Sequence, residues 1–464
     1  LTSRPRGAVS VSATPALKRQ LGLSAVMALV VGNMLGSGVF FTPGELAAVA
    51  QHPWQVHFIW ALCGLITLCG ALTLAELCRL LPHAGASYHV LRESFGPLSG
   101  FVLVWMELWV SGPGSVAGIA IAFGEFMHRF GGTYTSATPL AWGIAAIVAY
   151  AAVNLAGVTW GGRVQVVVTA VKVAGIVALI GGALLLAAPA AESPSLVTAP
   201  TALGTDGTSV LSFFQFVGLG VAAVLFTYDG WIDVSHVAGE VRRPARDLPV
   251  GMALGVASLT VLYLVVNVAY LRVVPLAAMR ASPATVASTL ATAAYGPRGG
   301  ALLDILMLLS IFGALGGLVM TLPRLFYTLA DSHRDSARGP LRWFFAQLAV
   351  VSPRTSVPSG AIVFTAVTSI AALAFFGSFS RLVNFFVVPF QCMNILMVAA
   401  IFRLRPRLTN DAGYRTPGYP WTPLVYIVVM AAFIISALVA RPVETLIGTA
   451  LALTGIPVYF WLAR

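Results

Sequence analysis

The feature that most constrains this chain is its division into twelve apolar runs, each close to the roughly 20 residues that a helix needs to cross a bilayer. They cover approximately residues 21–50, 57–81, 98–128, 139–157, 164–189, 209–238, 250–274, 298–330, 357–376, 382–403, 421–440 and 443–463, here called segments 1 to 12. Only 9% of residues are charged, against about 25% in a soluble domain. Hydrocarbon offers the backbone no hydrogen-bond partners, so apolar runs of this length become helices. The expected fold class is an all-α polytopic membrane protein with twelve transmembrane helices.

The net charge of +11 would suit nucleic acid if it formed a patch, but nearly all of the 27 Lys and Arg fall between or at the ends of the apolar runs. With the N-terminus inside, 20 of them, Arg324 included, lie on the cytoplasmic side. Six lie outside: Arg129, Arg272, Arg280, Arg298, Arg381 and Arg441. Lys172 remains within the membrane. This asymmetry predicts a multi-pass protein of the cell (plasma or inner) membrane with both termini cytoplasmic. Lipid is then its surrounding partner, and nucleic acid is excluded. Residues 1–19 are polar and basic and read as a disordered cytoplasmic tail, not a signal peptide. Cys63, Cys69, Cys78 and Cys392 lie in or at the ends of apolar runs, so no disulfide framework is expected.

Two runs are interrupted. Segment 1 carries Gly32, Gly36, Ser37 and Gly38 within Gly32–Phe40, and segment 6 carries Asp229, Gly230 and Asp233 within Phe226–Asp233. Glycines alone would read as close helix packing. Carboxylates at membrane depth cost several kcal/mol unless compensated. Interruptions at matching places five segments apart point to a transporter built from two inverted repeats with broken helices 1 and 6. The expected domains are a core over 20–403, with a first repeat at 20–189 and a second at 208–403. A linker with helices 11 and 12 follows at 404–464. A helix restarting near Gly36–Gly38 offers free N–H groups to a carboxylate. Carbonyls near Phe226–Gly230 can accept from an ammonium group. A carboxylate clamp opposite an ammonium clamp describes a site for an α-amino acid.

Lys172 lies about 8 residues into segment 5, roughly 12 Å along a helix. That is deep for snorkelling, so it reads as a fixed positive charge facing the bundle and bracing segments 1 and 8. Asp229 is read first as a cap on the second half of segment 6, with attraction of a cationic or polar substrate as the alternative. Asp233, four residues on, would share a helical face with it or pair with a cation. Glu76, Glu107, Glu125 and Asp304 read as paired or interfacial before they read as proton relays. No HxxxH, HExxH or CxxC spacing appears, and no phosphate loop or dinucleotide fingerprint, so neither a metal nor a cofactor is expected.

The motifs resemble those of the amino acid–polyamine–organocation transporters. Gly36-Ser37-Gly38-Val39-Phe40 is similar to the family's first-helix motif. Phe226-x-Tyr228-Asp229-Gly230-Trp231, with Gly239-Glu240-Val241 and Arg246-Asp247-Leu248-Pro249 after it, resembles the sixth-helix signature of the L-type amino acid transporter branch. Pro82, Gly85 and Tyr88, and the run Tyr414-Arg415-Thr416-Pro417, are similar to its loops. The resemblance covers about residues 20–464. It implies the five-plus-five fold and sodium-independent movement of amino acids, often by exchange. It also implies site roles. Gly36, Ser37 and Gly38 would take the substrate carboxylate. Phe226, Thr227 and Asp229 would offer carbonyls to its amino group. Phe226 would shut the outer side, and Asp233 would face the side-chain pocket. Lys172 would replace a sodium ion, with Ser310 as its partner. Segment 8 departs from the family in reading Ser310-x-x-Gly313-x-x-Gly316-Gly317, without the usual Asn. The loop after segment 3 has no Cys, so no disulfide-linked heavy chain is expected and the chain reads as a bacterial homologue.

The expected function is a sodium-independent amino-acid transporter or exchanger with neutral substrates first. Cationic amino acids or amines, with or without proton coupling, come second. A non-transporting sensor on the same fold is the rival class, though the longest internal loop, near 331–356, is short for a sensor domain. No nucleophile–base constellation supports an enzyme.

Overall fold

The computed structural model describes residues 17–131, 137–189, 207–335, 337–376, 379–408, 413–440 and 442–462. Residues 1–16 of the expected tail lie outside these, as do 132–136 of the loop after segment 3 and the topology charges Arg441 and Arg464.

Among the described residues nine helices are long and apolar enough to cross a membrane. A further span is the pair Leu23–Met34 and Gly38–Val49, bent by 43°. Pro139–Leu155 and Ser359–Phe375 are shorter apolar helices. These elements fall in order on the twelve apolar runs, and the protein is an all-α polytopic membrane protein. Glycine sets how closely the helices approach. Gly251 and Gly255 of segment 7 sit directly against Val26 and Val30 of segment 1, and Gly64 of segment 2 sits against Thr260. Any larger residue there would collide, which is how small residues drive packing where lipid gives no hydrophobic force between helices.

Three of the longer runs are irregular. Segment 1 breaks between Met34 and Gly38. Segment 3 is α-helical over Pro97–Met106 and Gly112–Gly131, with a π-helical turn, Glu107–Ser111, between them. There Gly112 N–H donates to Glu107 O, and the following Pro113 has no N–H to donate. Segment 6 is α-helical over Gly207–Leu225, makes one tight turn at Phe226–Tyr228, and resumes at Ile232–Glu240 as a 3₁₀ helix. The sequence expectation of an α-helical restart, with Asp229 and Asp233 one turn apart, is corrected here. Asp229 is extended (ψ 160°) and lies ahead of the helix that carries Asp233, so the two do not share a helical face.

The ends of segments 1, 6 and 8 are tied together. Gln20 N and Leu21 N donate to Glu240 O (2.8 and 2.9 Å), and Arg242 N returns to Leu21 O (2.8 Å). The Glu240 carboxylate takes two bonds from Arg324, Nε at 2.7 Å and Nη2 at 3.3 Å, with both side chains fully buried. Arg324 is therefore not one of the loop charges of the sequence count. It lies inside the 35-residue helix Gly299–His333. The loop near 331–356 also differs from expectation, because it contains a helix, Gly339–Leu348, with Phe345 and Leu348 buried and Trp343 exposed. At 10 residues it is too short to register as an apolar run.

Arg324→Met should leave Glu240 buried and unpaired and lower stability by about 3–5 kcal/mol. The double variant Arg324→Met/Glu240→Leu should recover much of that loss. Thermal unfolding in detergent compares the two.

Candidate functional site

Each break is shaped by what it packs against. In segment 1, Leu35 N still reaches Val31 O (2.8 Å) and Gly36 N turns to Met34 O (2.9 Å) before the helix restarts at Gly38. The first N–H groups of the new helix have no helical carbonyl before them. Side-chain space beside Gly36 is empty, whereas a methyl at Gly38 would collide with the Thr227 side chain. In segment 6, Asp229 N bonds Phe226 O (3.2 Å) and its own Oδ1 accepts from Gly230 N (2.9 Å). Asp229 thus binds its neighbour's amide rather than capping the later turns. Gly230 has φ +105°, the left-handed region that favours glycine, and passes against Asn33.

The two breaks are joined by side chains. Asn33 Nδ2 donates to Asp233 Oδ2 (2.8 Å), and the hydroxyls of Thr42 and Thr227 bond each other (2.9 Å). The Tyr263 hydroxyl, from segment 7, lies 2.9 Å from Met34 O and 3.3 Å from Thr227 O, so one donor serves a carbonyl of each break. Thr227 O is thus partly engaged already. Tyr263 is a residue that sequence reasoning missed. Its signal is a tyrosine in the middle of an apolar run, whose hydroxyl must find a partner when buried.

Gly36, Ser37, Gly38, Phe226, Thr227, Asp229 and Asp233 all line one cavity of about 180 Å³. Phe226 remains 47% exposed at its wall. Segment 3 adds Glu107 and Ser111 from the π-helical turn, segment 8 adds Ile311 and Ala314, and segment 10 adds Phe390. Glu107 is the second residue whose place the sequence did not give. It separates from the other three carboxylates grouped with it. Glu76 accepts from Thr416 N and Oγ1 (2.6 and 2.7 Å) and faces Arg405 (3.5 Å), while Glu125 and Asp304 are exposed. Asp233 has the neutral Asn33 for a partner, not a cation.

Lys172 and Ser310 stand apart from the cavity. The Lys172 ammonium is buried, donates to Gly32 O (2.9 Å), and lies against Gly313. It thereby links segments 1, 5 and 8. Gln165 Nε2 to Gly313 O (3.2 Å) and Thr169 Oγ1 to Ala28 O (3.1 Å) add to the same seam. The Ser310 hydroxyl is buried without a hydrogen-bond partner, so the expected Lys172–Ser310 bond is not formed. The missing Asn of segment 8 has a steric reason: the Tyr150 ring occupies the space beside Gly316, and Asn33 fills that beside Gly317.

Two helices broken opposite each other around one shared cavity with carboxylates at its wall define a membrane carrier of the broken-helix type. Residues 21–462 match the amino acid permease family, and the chain belongs to it. The chain is 28% identical to the serine/threonine exchanger SteT of Bacillus subtilis (strain 168) over 97% of this chain and 98% of the relative. It is 28% identical to the b(0,+)-type amino acid transporter 1 of Mus musculus, over 96% of this chain and 88% of the relative. To the large neutral amino acids transporter small subunit 2 of Homo sapiens it is 27% identical, over 96% and 80%.

Tyr263→Phe should fold but lose about 1 kcal/mol and loosen both breaks. A lowered thermal midpoint with faster amide exchange near residues 35–38 and 226–230 is the expected readout.

Proposed function

We propose that the chain is a sodium-independent transporter or exchanger of amino acids, working by alternating access in the cell membrane with both termini cytoplasmic. The observation that carries this is the single cavity onto which both helix breaks open. One wall is the N-terminal end of Gly38–Val49, whose partial positive charge and first N–H groups suit the substrate carboxylate at Ser37 and Gly38, beside Gly36, whose own N–H is turned to Met34 O. The opposite wall is the C-terminal end of Gly207–Leu225, where the carbonyls of Phe226 and Thr227 and the carboxylate of Asp229 suit the ammonium. Both walls read the main chain of an amino acid. Phe226 acts as the gate, and the repeats at 20–189 and 208–403 rearrange around the site. A substrate drives this only if it binds the two states differently. The mouse and human relatives above are named as amino acid transporters and SteT as an exchanger, which supports the same reading.

Lys172 supports sodium independence, since its ammonium sits on the Gly32 carbonyl, just before the break, where a cation would brace segments 1, 5 and 8. The sequence ranks neutral amino acids before cationic ones; the carboxylates at the cavity wall support the cationic alternative.

In proteoliposomes, counterflow of at least one amino acid should proceed equally in sodium and choline buffers. Absence of flux for every amino acid and amine sinks the reading. Lys172→Ala should abolish most transport in a protein that still elutes as a folded monodisperse species, and unchanged flux at every pH would remove its bracing role.

A further inference from the structure

The cavity carries more carboxyl groups than an amino-acid main chain can engage. An α-amino acid brings one ammonium and one carboxylate, and the two breaks accommodate both with Asp229 as the only carboxylate used. Glu107 and Asp233 are then left over. They are 4% and 6% exposed, and they line the same cavity as Asp229. Among the described residues no Lys, Arg or His lines the cavity. Lys172 is committed to Gly32 O and forms no ion pair with a described carboxylate. Ionisable groups inside a membrane protein are paired or serve a transported ion or solute. An independent observation points the same way. Ser111, 2% exposed and one π-helical turn after Glu107, lines the cavity with a hydroxyl that closes no hydrogen bond of normal geometry. Phe226 and Phe390 supply aromatic surface, which attracts cations.

We propose that this cavity selects solutes with a second cationic group, basic amino acids or diamines, and that Glu107 and Asp233 form the subsite for that group with Ser111 as an added acceptor. The inference rests on the transport reading and narrows it. Anionic side chains are rejected by the same carboxylates, and neutral ones leave Glu107 and Asp233 uncompensated.

Purified protein in proteoliposomes should be tested for counterflow of labelled lysine, ornithine, putrescine, serine and leucine. Equilibrium binding of lysine and serine is measured on the same preparation in detergent. The cationic solutes should lead. Glu107→Gln and Asp233→Asn should each lower the lysine-to-serine ratio by at least about tenfold, in protein with an unchanged elution profile. Asp304→Asn, at an exposed carboxylate of segment 8, should leave the ratio unchanged. Serine or leucine flux with no transport of, or competition by, the cationic solutes overturns the inference while leaving transport standing. An unchanged ratio in both variants does the same, as does loss of proton-driven uptake at constant preference, which would make the pair a proton site. Lysine binding without flux, lost in both variants, supports the subsite and removes the transport reading. Neither binding nor flux for any of the five overturns both.

Discussion

A backbone that leaves its helix inside a bilayer must find its partners in protein or across a cavity, because hydrocarbon offers none and each unsatisfied group costs several kcal/mol. The centre of this molecule is arranged around that requirement. Segment 1 opens at Leu35–Ser37 and segment 6 at Phe226–Trp231, and each supplies what the other lacks. Asn33 reaches Asp233, Thr42 reaches Thr227, and Gly38 and Gly230 are small because Thr227 and Asn33 press against them. Tyr263 adds a donor shared between Met34 O and Thr227 O. What these contacts leave unfilled is the cavity itself.

Charge in the interior follows the same logic. Glu240 and Arg324 are fully buried and bound to each other by two hydrogen bonds, and their backbone neighbours tie Leu21 to Val241. Lys172 spends its charge on the Gly32 carbonyl. Glu76 holds the linker through Thr416 and Arg405. The cavity carboxylates Glu107, Asp229 and Asp233 are the departure from this rule, since among the described residues Asp229 and Asp233 are bonded by amides and no cation lines the cavity. In the proposed reading a cationic solute supplies the partner these carboxylates lack.

The π-helical turn of segment 3 shows how a local irregularity reaches the site. Pro113 removes a donor, the helix takes up an extra residue at Glu107–Ser111, and both ends of that turn line the cavity. Segment 8 works by subtraction: Gly313, Gly316 and Gly317 give room to Lys172, Tyr150 and Asn33 in turn. The family's asparagine is absent there because another side chain holds its space.

Much of this was legible in the chain alone. Twelve runs of membrane-spanning length, few charges and two interrupted helices fix an all-α polytopic fold, since hydrocarbon permits little else. The interruptions mark Gly36–Gly38 and Phe226–Asp233, because glycine and carboxylate are both unfavourable in a spanning helix without a purpose. Only the tertiary structure brought Glu107 and Tyr263 to those breaks, buried Arg324 against Glu240, and parted Lys172 from Ser310. A single carboxylate or tyrosine in an apolar run looks the same whether it faces lipid, a partner helix or a cavity. Spacing along one helix states which residues share a face; which neighbour that face meets depends on how distant segments pack, and the charge balance of the site follows from that packing.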